Sequence, residues 1–241
     1  MQLKADFHVH SAASWDGRSS LSQLAEKAKA LGLDAIAVTD HDLCTDCSGE
    51  YPVLLLPGCE ITTTHGHVLG LCLQKPLKPM QLPTPMQAVN AIRECGGVAV
   101  FAHPFSPQKA EEALLNEIPV DAIECENARV ALKDPEKNAQ ARALAEKRGL
   151  AQIGGSDAHG ADELGGCITL LECRERSVDA VREAILQGNC QAVFCHSCTW
   201  KQKGLSQWEG HRNDKNPLKV FKTLVYLTAC IARDGFGGKK Q

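Results

Sequence analysis

Short aliphatic runs alternate with stretches of helical periodicity along most of this 241-residue chain, and that alternation constrains its fold more than any other feature. Residues 3–10, 34–39, 53–56, 68–73, 98–102, 121–126, 151–154, 167–171 and 191–194 read as strands. Helices are expected between them, over 20–31, 84–95, 108–116, 135–148 and 178–187. The first carries Leu21, Leu24, Ala25, Ala28 and Leu31 at helical spacing, with Ser20 and Gln23 as a capping box and Gly32 as the stop. The second opens on Thr84-Pro85, a cap followed by proline at the first helical position. Repeated strand–helix units imply parallel strands with helices outside, in either a barrel or a doubly wound sheet. No G-x-G-x-x-G follows the first strand, which removes the dinucleotide-binding version of that sheet.

The strand ends carry the chemistry. His8 and His10 close the first strand at i and i+2, and Asp157 and His159 repeat the spacing in Ser156-Asp157-Ala158-His159. Side chains alternate faces along a strand, so each pair points one way. His41, His65, His67 and His103 lie near other strand ends, Glu60 and Asp157 end strands, and Asp16 follows His10 in Ser14-Trp15-Asp16-Gly17-Arg18. A lone histidine is usually a surface or core residue, but barrel geometry gathers strand C-termini into one site. Imidazole mixed with carboxylate suits Zn, Mn or Fe. Glu124 and Glu126 share one strand face, with Glu124 read as core-facing and paired, and Trp15 is read as packing under its loop.

The rest of the composition narrows the class. Hydrophobic residues at 44% and charged residues at 23% suit a globular chain with a sizeable core. No apolar run reaches the roughly 18 residues that span a bilayer, and no signal-peptide pattern opens the chain, so a cytoplasmic location without membrane contact is expected. Twelve cysteines without a secretory signal are expected to be free, buried or metal-binding. Cys44/Cys47 and Cys195/Cys198 form two C-x-x-C pairs, too common at this cysteine content to establish a zinc site. Net charge is −3, yet residues 196–241 hold nine Lys/Arg against three Asp/Glu. The alternation stops there: 201–217 reads as polar loop, 218–233 as one amphipathic helix, and 235–241 as a frayed end. We therefore divide the chain into a unit of alternating strands and helices at 1–196 and a basic extension at 197–241, whose amphipathic helix allows a monomer or a homodimer.

Five segments, His8-Val9-His10, Thr39-Asp40-His41, Gly58-Cys59-Glu60, Ala102-His103-Pro104 and Ser156-Asp157-Ala158-His159, resemble in order the motifs of the polymerase and histidinol phosphatase (PHP) family of phosphoesterases. The resemblance spans residues 1 to about 196 and implies a distorted (β/α)7 barrel holding two to three divalent ions. It implies that His8, His10, Glu60 and Asp157 hold the first ion. Glu60 would bridge to a second ion completed by His67 and His103, with His65 the competing choice for His67. Asp16, His41 and His159 would hold the third, Asp16 standing where some members have histidine.

Clustered ions suit phosphoester hydrolysis: a water between two of them loses a proton near neutral pH and attacks phosphorus. No G-x-S-x-G nucleophile elbow is present, and none is needed. Arg18 and Arg129, the latter in a segment similar to the family's Asn-x-Arg, are candidate phosphate contacts, and Asp40 is expected to orient a ligand histidine. The expected activity is hydrolysis of a small phosphate ester, with a nucleotide or short nucleic acid as another possible substrate. The alternatives are an oligonucleotide or cyclic phosphodiesterase and a non-catalytic binding module, which a complete ligand set disfavours. Amidohydrolase chemistry would call for a lysine at a strand end, and none stands there. Residues 68–102 leave no room for the long insert from which some relatives build a nucleotide pocket.

Overall fold

A computed structural model describes residues 1–106 and 112–237. The chain runs β1 (Gln2–Val9), α1 (Leu21–Ala30), β2 (Ala35–Val38), β3 (Leu54–Pro57), β4 (Cys59–Thr63), β5 (Gly66–Leu71), α2 (Pro85–Glu94) and β6 (Val98–Ala102). It continues through α3 (Glu112–Glu117), β7 (Ala122–Asn127), α4 (Ala128–Lys133), α5 (Glu136–Arg148), β8 (Ala151–Gly155), β9 (Cys167–Glu172), α6 (Val178–Leu186) and β10 (Cys190–Phe194). Two helices close it, α7 (Trp200–His211) and α8 (Pro217–Gly237). The first part of the helix expected over 108–116 lies outside the described residues.

The strands form two five-stranded sheets, in the orders β10-β9-β1-β2-β3 and β4-β5-β6-β7-β8. Both sheets are mixed, which corrects the all-parallel expectation. β1, β2 and β3 pair in parallel, as do β6, β7 and β8. β4, β5 and β6 pair antiparallel, and so do β1, β9 and β10. The reason is connection length. Only Thr64 and His65 separate β4 from β5, a hairpin link, whereas a parallel crossover needs a dozen residues or more. The two capping boxes are present, Ser20 with Gln23 and Thr84 with Gln87.

The sheets meet at two seams rather than closing into a continuous hydrogen-bonded barrel. At one, the chain passes from β3 to β4 through Gly58, where a Cβ would lie 2.8 Å from the Gly70 carbonyl oxygen. Beside it, His41 pairs with Glu60 in an isolated parallel bridge. At the other seam, Val9 bridges Ala158. Here Gly155 lets β8 run against β1, since a Cβ on it would fall 2.4 Å from the His8 Cβ. Both seams are thus built from the residues that flank the candidate ligands. Beneath them Leu3, Phe7, Leu56, Leu69, Leu71, Ile153 and Leu171 form a fully buried core. α2 and α5 cover the second sheet with Val89, Ile92 and Leu144, and α1 covers the first with Leu24 against Ile36 and Leu55.

The C-terminal extension departs from the expectation of one helix after a loop. Residues 200–211 are helical, with Thr199 and Gln202 forming a third capping box. α7 and α8 pack together at Gly204, which lies under Leu227 and Cys230. The outward side of α8 leaves Leu218, Phe221, Leu224, Val225 and Ile231 exposed. Among the described residues, no helix is long and apolar enough to cross a membrane.

Candidate metal centre

Glu60 stands at the middle of the site. Its Oε1 lies 2.7 Å from His67 Nδ1 and 3.2 Å from His103 Nε2. Its Oε2 lies 3.2 Å from His8 Nε2, 3.3 Å from His10 Nε2 and 3.1 Å from His41 Nδ1. One buried carboxylate therefore faces five imidazoles, split between its two oxygens. Asp157 Oδ1 lies 3.8, 3.6 and 3.5 Å from nitrogens of His8, His10 and His159. Asp16 Oδ2 lies 2.9 Å from His159 Nε2 and 3.7 Å from His41 Nε2.

These contacts sort into groups with metal-ligand spacing. His8, His10 and Asp157 form one, Glu60, His67 and His103 a second, and His10, Asp16, His41 and His159 a third. The structure brings together all nine residues singled out in the sequence. His67 rather than His65 faces Glu60; His65 is exposed and bonded to Thr64 Oγ1 at 2.8 Å.

The donor set fits divalent ions on a structural observation. His8 Nε2 and both ring nitrogens of His10 are buried without a hydrogen-bond partner, although carboxylate oxygens stand 3.2 and 3.3 Å from their Nε2 atoms. Buried polar atoms are rarely left so unless something else completes them. Mixed imidazole and carboxylate donors are what Zn, Mn or Fe takes. Without ions, protons play that part. Burial works against charging His8, but Glu124, Glu60 and Asp157 outweigh it and raise its pKa well above the usual value. Burial likewise opposes charging His10 and His103, and the neighbouring carboxylates still lift each to about 9. Glu60 and Asp157 are held well below the carboxylate range: burial pushes up, and His67, His8 and His41 around Glu60, with His8 and His10 at Asp157, prevail. His159 moves the other way, lowered by burial and then by the nearby Arg129 and His10 charges.

A surrounding layer fixes the ligand rings. His8 Nδ1 lies 2.9 Å from Glu124 Oε1, which leaves Nε2 turned to the centre. The other oxygen of Glu124 accepts from the His103 amide at 2.8 Å and from Asn127 Nδ2 at 3.2 Å. His103 Nδ1 meets the Ser106 carbonyl at 2.8 Å, and His159 Nδ1 meets the Asp157 carbonyl at 2.9 Å. Ser14 Oγ donates to Asp16 at 3.0 Å. His103 and Asp157 adopt φ of 30° and 55°, left-handed values that cost a non-glycine residue roughly 1–3 kcal/mol. Strain of that kind collects at sites that other contacts over-determine.

Three sequence readings change. Asp40 orients no ligand ring: it accepts from Ser11 N at 2.6 Å and Ser11 Oγ at 2.7 Å, and from Thr45 Oγ1, so it ties down the loop after His10. Arg18 is turned to Asp162 and Glu163, at 2.7 and 2.9 Å. Arg129 lines the pocket, but its Nε donates to the Asp157 carbonyl and its Nη2 to Glu163 and Ser206. Glu124 and Glu126 also part company, because the register shifts between them. That irregularity aims Glu124 at His8, while Glu126 meets Asn138 and Arg142. The sequence reading missed Ser14 and Asn127; the helix-capping position of Asn127 after a strand was the available signal. Among the described residues no cysteine joins a metal-spaced group.

The centre floors a pocket of about 210 Å³. Trp15 forms one wall, stacked on His41 at 5.7 Å and 53% exposed. Arg129, Val130 and Lys133 of α4 and Lys203 and Gln207 of α7 line it as well.

Comparison with known proteins agrees with this geometry. The PHP domain model matches residues 6–100, and the PHP-associated model matches residues 135–190. An uncharacterized protein of Methanocaldococcus jannaschii is 31% identical over 143 residues, which cover 52% of this chain and 82% of that protein. A two-domain protein from Bacteroides vulgatus, described as containing a predicted PHP-like metal-dependent phosphoesterase, superposes with a TM-score of 0.64 at 24% identity. That match covers 80% of this chain and 65% of the other, so the chain spans just under two thirds of its neighbour. PsfC from Pseudomonas syringae superposes with a TM-score of 0.64 at 21% identity, over 95% of this chain and 98% of its own. At these identities the two structures establish a shared fold. With the domain matches, the archaeal relative and the ligand motifs in order, the chain belongs to the PHP family.

Proposed function

We propose that this protein is a metal-dependent phosphoesterase acting on a small phosphate ester, with two to three Zn, Mn or Fe ions held by His8, His10, Asp16, His41, Glu60, His67, His103, Asp157 and His159. The observation that carries the proposal is Glu60, whose two oxygens face separate sets of imidazoles within 2.7–3.3 Å. Such a carboxylate is placed to join two sites a few ångströms apart. In this reading the two sheets are halves of a distorted (β/α)7 barrel, and the ions fasten its seams.

When bound, ions at these sites supply a water acidic enough to attack near neutral pH and neutralise charge on the phosphate oxygens. The chain's own residues set the geometry. Glu124 holds His8, the Ser106 carbonyl holds His103, and Ser14 holds Asp16. Arg129 fixes the Asp157 backbone through its carbonyl and pins Glu163, so we assign it positioning rather than phosphate contact. Arg18, on the same Glu163, shares that task. A pocket of about 210 Å³ suits a small ester, and the complete donor set disfavours a purely binding role.

The test is phosphate release by Zn-, Mn- and Fe-loaded protein across phosphomonoesters, nucleotides and dinucleotides, run beside His8→Ala. Turnover of a phosphomonoester, abolished in the variant, is expected. Ion-loaded protein that hydrolyses none of these, or a variant as active as the parent, would end the proposal.

A further inference from the structure

Two lysines face the pocket from elements outside the metal centre. Lys133 ends α4, and Lys203 lies in the first turn of α7. Both line the cavity with Arg129, Asp157 and the ligand imidazoles. They face the same cavity, Lys133 exposed and Lys203 half-buried, and the charge of Lys133 acts on Lys203. Among the described residues the two arginines near the site are engaged: Arg18 on Asp162 and Glu163, Arg129 on Glu163, Ser206 and the Asp157 carbonyl. Lys203 is repelled by Lys133 and attracted by Asp157, and an anion beside the two lysines would relieve the repulsion.

The arrangement is held in place. Arg129 Nη2 donates to Ser206 Oγ at 2.9 Å, both groups buried, which fixes α7 to α4. Gln202 Nε2 donates to the Asp162 carbonyl at 2.7 Å, which fixes the first turn of α7 to the loop after β8. At the far end, Gly210 lies against Trp15, where a Cβ would fall 2.2 Å from the indole. Lys203 is therefore carried to the pocket by a helix tied at three points. Burial, then the adjacent Lys133, lowers its pKa to about 7, as expected of an ammonium awaiting a counter-charge.

We propose that Lys133 and Lys203 form an anion subsite at the rim of the pocket, so that the preferred substrate is a phosphate ester bearing a second negative group, a carboxylate or a further phosphate. The proposal rests on the phosphoesterase reading and adds the class of substrate. In this reading the scissile phosphate would lie over divalent ions held by the floor residues, and the lysine pair would take the second anion. Arg129, committed to protein groups, lines the same pocket and keeps its wall in place.

The test compares four probes on the metal-loaded full chain: propyl phosphate, 3-carboxypropyl phosphate, propane-1,3-diyl bisphosphate and 3-aminopropyl phosphate. The parent protein is expected to favour the two doubly anionic probes over propyl phosphate by about tenfold or more in kcat/KM. In Lys133→Gln/Lys203→Gln that ratio should fall towards one, and in Lys133→Glu/Lys203→Glu the amino probe should become the preferred one. Relative preference among the two anionic probes distinguishes a carboxylate from a phosphate ligand. Equal kcat/KM for all probes in the parent, or a preference that survives both double variants, overturns the subsite. If no probe is hydrolysed, the phosphoesterase reading fails by itself. The subsite is then read by calorimetric binding of the same four probes, where equal affinity overturns it and selective loss in the double variants upholds it.

Discussion

The floor and the rim of this pocket are built on opposite principles. The floor consists of side chains at or near strand ends, buried or half-buried, and the rings of His8, His103 and His159 are each held by a further group. The rim is carried by helices and an exposed tryptophan, with α7 attached through a few polar ties and two glycine contacts. Under the proposed function the floor sets the chemistry and the rim selects what enters. Two regions within a few residues of each other should therefore answer to mutation in different ways.

The largest contrast comes from Glu60→Gln. It removes the one charge that five imidazoles share, so ion content should drop and kcat/KM should fall by about a thousandfold or more, the several kcal/mol that bound ions contribute. Metal analysis together with steady-state kinetics checks this; a variant that keeps its ions and its rate would erase the distinction between floor and rim. Stability should follow the same divide. Phe7→Ala empties a fully buried position beneath the site and should cost about 3–5 kcal/mol in denaturant unfolding. Phe221→Ala on α8, where the ring is 62% exposed, should stay within about 0.5 kcal/mol. A large loss at Phe221 would mean that its face is covered in solution.

Glu124→Gln sharpens the floor further. Weakening the partner of His8 Nδ1 should lower metal affinity by roughly 10–100-fold while the fold is kept, measured by competition with a chelator. Proton competition acts on the same ligands. His10 and His103 hold protons up to about pH 9 when no ion is present, and a binding ion must displace them. Apparent metal affinity should therefore climb as pH rises towards about 9 and level off above it. An affinity independent of pH from 6 to 9 would show that those imidazoles are already neutral. The smallest effect is expected at the rim. Gly210→Ala pushes a methyl group into Trp15 and should raise KM a few-fold without changing ion content.

The same divide decides how much could be read from the amino-acid sequence. Candidate ligands are few in kind and gather near strand ends, so His8, His10, Glu60, Asp157 and the others were visible as an ordered set. The alternation of strands and helices was visible for the same reason, since each element buries a periodic face. Strand direction was not: the mixed sheets follow from a two-residue link after β4 and from β9 and β10 folding back, which apolar periodicity does not encode. Nor was α7. Gly204 and Gly210 and its scattered apolar residues look like a loop, yet both glycines are contact points, one for Leu227 and Cys230 and one for Trp15. The protein partners of the arginines were not legible, because a guanidinium near a phosphate site has two plausible kinds of partner. Only the geometry shows that Glu163 takes both Arg18 and Arg129.

The most direct measurement is metal content and phosphate release on one preparation of the full chain, with Glu60→Gln beside it. The account predicts two to three divalent ions per chain and hydrolysis of a small phosphomonoester in the parent, with both reduced together in the variant. Ions bound firmly with no phosphoester turned over, or a Glu60→Gln variant that remains active, would contradict it.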